Sequence, residues 1–132
     1  MPRRFKEMTR NRHTEVMKQE TVVGLPDALL RSLLEELKQR LSDLYRDRLA
    51  GVVLYGSYAR GSAHTGSDLD VAMLLDGYER AWPEIDRTGP LVAEMSLKYG
   101  VTVSLIPVRK KDWDQNQTLL TRTLHREGTL IG

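Results

Sequence analysis

The run Leu69–Leu75 is apolar except at one position, Asp70. A short apolar run of this kind reads as a buried strand. A carboxylate inside it is costly unless something pairs with its charge. Asp68 stands two residues earlier, and on an extended chain residues two apart point to the same face. Two carboxylates held side by side repel unless a cation lies between them or one takes up a proton. A divalent ion is the simplest resolution, and a donor set of oxygens alone favours Mg2+ or Mn2+. Whatever this chain folds into must leave those two acids within reach of a cation.

The segment leading to the acids fits the same chemistry. Val52-Val53-Leu54-Tyr55 reads as a first strand, and Gly56-Ser57 follows it directly. A glycine there lets the backbone turn sharply and approach a ligand closely. Ser57 is suited to cap a short helix through Tyr58-Ala59-Arg60. The start of such a helix offers free N–H groups and partial positive charge, which suit a phosphate. Gly61 and Gly66 allow a compact loop back to Asp68. A phosphate cradle facing a metal-holding pair of acids is what nucleotidyl transfer from a nucleoside triphosphate requires. The plainer alternative is a strand-to-helix turn followed by an Asp at a turn. It accounts for Gly56, Ser57 and Asp68, but poorly for Asp70.

Gly56-Ser57, ten residues, then Asp68-x-Asp70 resembles the signature of the DNA polymerase beta-like nucleotidyltransferase superfamily, most of all its minimal (MNT) members. Ala59-Arg60-Gly61 and Ser67-Asp68 match the same signature. The resemblance spans roughly residues 28–127. No Gly-Lys-Ser/Thr follows the glycines, so the loop is not a P-loop. The resemblance implies an enzyme that moves a nucleoside monophosphate, AMP from ATP or another NTP, onto a hydroxyl acceptor. It implies Asp68 and Asp70 as catalytic metal ligands, with Gly56, Ser57, Arg60 and Ser67 at the nucleotide. Arg60 has two open readings, a phosphate contact or a structural partner for a nearby carboxylate. The resemblance further implies a protein partner of the HEPN type, with this chain as antitoxin to that toxin.

One position departs from the family pattern. Active members commonly carry a third carboxylate on the next strand. Aligning Val103-Ser104-Leu105-Ile106 with that strand puts Ser104 there. A serine is a weak metal ligand and no useful base near neutral pH. Glu94, Asp112 and Asp114 are the candidates to stand in, or a partner or the substrate supplies the acid. The competing reading is a nucleotide-binding module with little or no turnover that neutralises its partner by contact alone. Transfer to a small molecule and modification of RNA ends are weaker alternatives.

At 132 residues, with 40% hydrophobic and 29% charged residues, the chain suits one domain. Residues 25–132 are expected to form it. Residues 1–24 read as a basic, flexible or loosely helical extension. That extension is either a solvated leader or an arm for RNA or an acidic partner. A net charge of +2 does not by itself indicate nucleic acid. No apolar run approaches a membrane span, and no signal-peptide pattern or cysteine is present; a cytoplasmic location is expected. His13, His64 and His125 show no metal spacing.

The rest of the pattern predicts a two-layer α/β fold, a small mixed sheet with helices packed on it. Leu30, Leu33, Leu34, Leu37, Leu41, Leu44 and Tyr45 follow helical spacing, capped by Asp27 and ending near Arg48. This stripe faces the core, or an oligomer seam if unusually wide. A helix is expected from Trp82-Pro83, broken or kinked at Gly89-Pro90 and capped by Gly100. A strand over 101–106 should stop at Pro107. A last helix over 111–126 should turn Trp113, Leu120 and Leu124 inward. Trp82 is expected in the core or at its rim.

Overall fold

The computed structural model describes residues 24–132 and the backbone of Arg3–Arg4. Apart from those few positions, the extension expected over residues 1–24 lies outside the described residues. The elements in chain order are β1 (Arg3–Arg4), α1 (Asp27–Tyr45), a 3-10 turn (Arg46–Arg48), β2 (Leu49–Tyr55), α2 (Gly56–Arg60) and β3 (Leu69–Leu75). They continue with α3 (Ala81–Tyr99), β4 (Val103–Arg109), α4 (Lys110–Gln115), α5 (Leu119–Glu127) and β5 (Thr129–Leu130).

The strands form one mixed sheet in the order β1-β5-β2-β3-β4. β2 and β3 are antiparallel, and β3 and β4 are parallel, joined by the α3 crossover. This is the α/β fold with a small mixed sheet and packed helices that the sequence predicts. α1 lays Leu30, Leu33, Leu34, Leu37 and Leu41 on one sheet face, all fully buried. They meet Val52, Leu54, Leu69, Val71, Met73 and Leu75 from the sheet and Leu91 and Met95 from α3. Each such side chain contributes about 1.5–3 kcal/mol by leaving water. The other face carries a smaller cluster of Val53, Ala72, Leu74 and Val108, covered by Leu124 of α5 with Trp113 beside it.

Several boundaries differ from expectation. α1 starts at Asp27 itself, so Pro26 rather than Asp27 is the cap residue, and it ends at Tyr45 where Arg46 turns to φ 53°. Leu44 is exposed and stands off the stripe. α3 runs unbroken through Gly89-Pro90. Both residues are on its exposed side, where the carbonyl that Pro90 leaves without a donor can meet water. β4 likewise continues past Pro107, because it is the edge strand and tolerates a missing N–H. The last helix is two helices. Asn116 in the left-handed region ends α4, and Thr118 starts α5 with a capping box to Thr121. Leu120 and Trp82 are exposed, while Trp113 stacks on His125 at 3.7 Å. Among the described residues no helix is long and apolar enough to cross a membrane.

Candidate active site

The register brings Tyr55, Asp70 and Ser104 into one row across β2, β3 and β4. β3 lies between two strands and is apolar on both faces, as buried strands are. Asp70 escapes full burial because it comes at the start of β3, beyond the cover that α5 gives Ala72 and Leu74. Leu69, fully buried, turns into the α1 side. Asp70 follows it in the strand, so alternation sends its side chain to the opposite side; Asp68 comes just before the strand and is exposed, with its charge acting on Asp70.

Gly56 closes the site from the β2 end. Its φ is +73°, and a Cβ there would overlap the Asp70 carboxylate oxygen Oδ2 and sit 3.1 Å from Cγ. Glycine is therefore required twice, for the left-handed backbone and for the space. Ser57 follows one peptide unit later, about 3.8 Å along the Cα trace, so the turn that carries it meets Asp70. Ser57 is not a cap, contrary to expectation. α2 begins at Gly56, with Tyr55 as a cap residue lacking any side-chain bond, because the glycine turn starts the helix one residue early. The Ser57 carbonyl instead accepts N–H bonds from Gly61 and Ser62. These bonds tie down the loop towards Asp68.

Ser67 Oγ accepts the His64 N–H at 2.9 Å, and the Ser67 N–H donates to the His64 carbonyl at 2.9 Å. Leu69 N–H then donates to the Thr102 carbonyl at 2.8 Å, which fixes the height of Asp68 against β4. Arg60 Nη1 donates to Glu127 Oε1 at 3.1 Å. His64 is exposed, as expected.

The electrostatics follow from this placement. Burial, then the neighbouring Asp68, push the Asp70 carboxyl above the usual range; Arg60 opposes this and Glu127 adds to it. Burial, and the Asp70 charge beside it, likewise raise the Tyr55 phenol. A site that raises the proton affinity of a carboxyl in this way suits any cation. The donor set fits Mg2+ or Mn2+ held by two carboxylates, with other ligands from water and phosphate oxygens, as is usual for Mg2+. Among the described residues no cluster of three or more His, Cys, Asp or Glu side chains forms a metal site.

Ser104 lies beside Asp70, on the strand where the family pattern has its third acid. None of the three candidate replacements is near it. Glu94 pairs with Arg40 of α1 at 2.6 Å, across the α1–α3 layer. Asp112 and Asp114 pair with Arg109 and Lys110 at the far end of β4. The acid that does reach the neighbourhood is Glu127, and sequence reasoning missed it. It lies 57 positions after Asp70 in a separate helix, and only the β5 pairing brings it back.

Residues 30–127 match the family described as nucleotidyltransferase domain. Two similar proteins are from Methanocaldococcus jannaschii, and each bears the name "Putative protein adenylyltransferase". One is 32% identical over 67% of this chain and 60% of its own length, so the chain spans less than two thirds of that relative. The other is 33% identical over 59% of this chain and 78% of its own length. The fold is similar to a crystal structure of a toxin-antitoxin with AMP-PNP, with a TM-score of 0.52 and 23% identity over 73% of this chain and 70% of that one.

Proposed function

Because this chain belongs to the nucleotidyltransferase domain family, we propose that it transfers AMP from ATP to a hydroxyl acceptor and releases pyrophosphate. The observation that carries the proposal is the contact between the Gly56 turn and the Asp70 carboxylate. In this reaction the acceptor oxygen bonds to the α-phosphorus while the bond from that phosphorus to the bridging oxygen of the β-phosphate breaks. The electron pair leaves with pyrophosphate, and the acceptor's proton passes to water.

In this reading Asp68 and Asp70 hold the divalent ion. Once bound, that ion supplies charge stabilisation to the phosphate oxygens. The backbone N–H groups of Gly56 and Ser57 and the Ser57 hydroxyl orient the triphosphate. Ser67 Oγ accepts one bond from His64 and keeps its own hydrogen to donate. Arg60 spends one nitrogen on Glu127 and keeps other donors of its rigid fork. The names of the similar proteins support a protein acceptor, and the toxin-antitoxin neighbour supports a toxin in that role; the HEPN type is what the sequence resemblance implies. The test is Mg2+-dependent labelling of such a partner by α-labelled ATP. Labelling lost in Asp70→Asn is the expected result; labelling unchanged in that variant would refute the assignment.

A second reading is favoured by one observation, the serine beside Asp70. With no third acid there, the chain neutralises its partner by contact and turns over little nucleotide. Neutralisation that persists in the Asp68→Asn, Asp70→Asn double variant selects this reading over the first.

A further inference from the structure

We propose that Glu127 is a positioning residue, which holds the Arg60 guanidinium at the rim of the acid pair so that its remaining donors meet a polyphosphate. The inference rests on the nucleotide-site reading above and concerns how that site is assembled. Glu127 is the last residue of α5, and its backbone is fixed. Gly128 N–H donates to the Leu124 carbonyl at 2.8 Å, and Ile131 N–H to the Val52 carbonyl at 2.9 Å. Thr129 pairs with Leu54 in the sheet. A Cβ at Gly128 would overlap the Leu124 carbonyl and Val53 Cγ1, so this joint between helix and strand is close-packed.

Glu127 is thus held against the end of β2, next to the Gly56 turn. Its side chain is 20% exposed, against 50% for Arg60. The anchored acid therefore holds the freer base. Only Nη1 of Arg60 engages Glu127, and among the described residues the guanidinium makes no other hydrogen bond. Arginine loses up to about 2 kcal/mol of rotamer freedom when it is immobilised. A partner that fixes it beforehand removes part of that loss from nucleotide binding. Arg60 ends the short helix that Gly56 begins, and Gly56 lies directly against the Asp70 carboxylate, so the pair borders the acids. An exposed ion pair with no such task would be worth little.

The test is a double-mutant cycle on the affinity of the full chain for ATP with Mn2+, with Arg60→Ala and Glu127→Gln as the variants. Arg60→Ala should weaken ATP binding about tenfold, the worth of one charge-assisted contact. Glu127→Gln should weaken it several-fold when Arg60 is present and not at all when Arg60 is alanine. Glu127→Asp should recover part of the loss. Equal effects of Glu127→Gln in both backgrounds, or tighter binding in the Arg60 background, would overturn the proposal. If Glu127→Gln melts early, Glu127→Asp is run through the same cycle and judged by the same non-additivity. An unaltered chain that binds no ATP overturns the nucleotide-site reading itself. Additive effects in a chain that does bind ATP overturn only the role given to Glu127.

Discussion

The two faces of β3 are one residue apart and do opposite things. Leu69, Val71, Met73 and Leu75 enter a dry core under α1 and α3. Asp70, Ala72 and Leu74 face the other way, where α5 covers the last two and leaves Asp70 at an open end. The first face is satisfied by burial alone. The second places a carboxylate where burial and a neighbouring acid both work against its charge. Strain of this kind concentrates at working sites, because a ligand that relieves it is bound the more tightly for it. On the proposed function the core face sets stability and the acid face sets activity, and substitutions on each should separate the two.

The largest expected effect is on the acid face. Asp70→Asn should cut Mg2+-dependent nucleotidyl transfer by about a hundredfold or more while the chain stays folded, as measured by labelling and by circular dichroism. Gly56→Ala comes next. Its Cβ meets Asp70 at a backbone angle that alanine adopts only under strain. About 1–3 kcal/mol of stability should go, and transfer should fall at least about tenfold, since a small misplacement of reacting groups is costly. On the core face, Met73→Ala should cost about 2–5 kcal/mol in denaturant unfolding. ATP affinity per folded molecule should not change; a large change would break the division between the faces.

The smallest effect tests the strain directly. Asp70 has a raised pKa in the folded chain, so the folded state holds its proton more firmly than the unfolded state does. That stabilisation is fully present below the ordinary Asp range and is lost as pH rises through the raised value. In metal-free protein, Asp70→Asn should therefore melt higher than the unaltered chain near pH 7. The difference should disappear below about pH 4. A lower melting temperature for the variant at pH 7 would mean that Asp70 is structurally satisfied and not held at a cost.

The same two faces differ in how plainly the sequence announces them. The core face was legible because Leu30, Leu33, Leu34, Leu37 and Leu41 repeat at helical spacing and β3 is continuously apolar. The acid face was legible through one anomaly, Asp70 inside that strand, and through the fixed spacing from Gly56-Ser57. What was not legible depended on context. Pro90 and Pro107 read as breaks, yet the first lies on an exposed helix side and the second on an edge strand. Asn116 divides the last helix by adopting φ 52°, which its neighbours do not signal. Ser57 lost its expected capping role because Gly56 already had the turn. Glu127 carries no motif, and its nearness to Arg60 comes from β5 folding back beside β2.

On the proposed function, Asp68, Asp70 and the Gly56-Ser57 turn hold one cation-bridged triphosphate. Electron paramagnetic resonance of free Mn2+, titrated with protein in the presence of ATP, tests it most directly. The unaltered chain should remove about one Mn2+ per molecule from solution, and the Asp68→Asn, Asp70→Asn variant, still folded, should remove almost none. Equal Mn2+ uptake by the two proteins would contradict it.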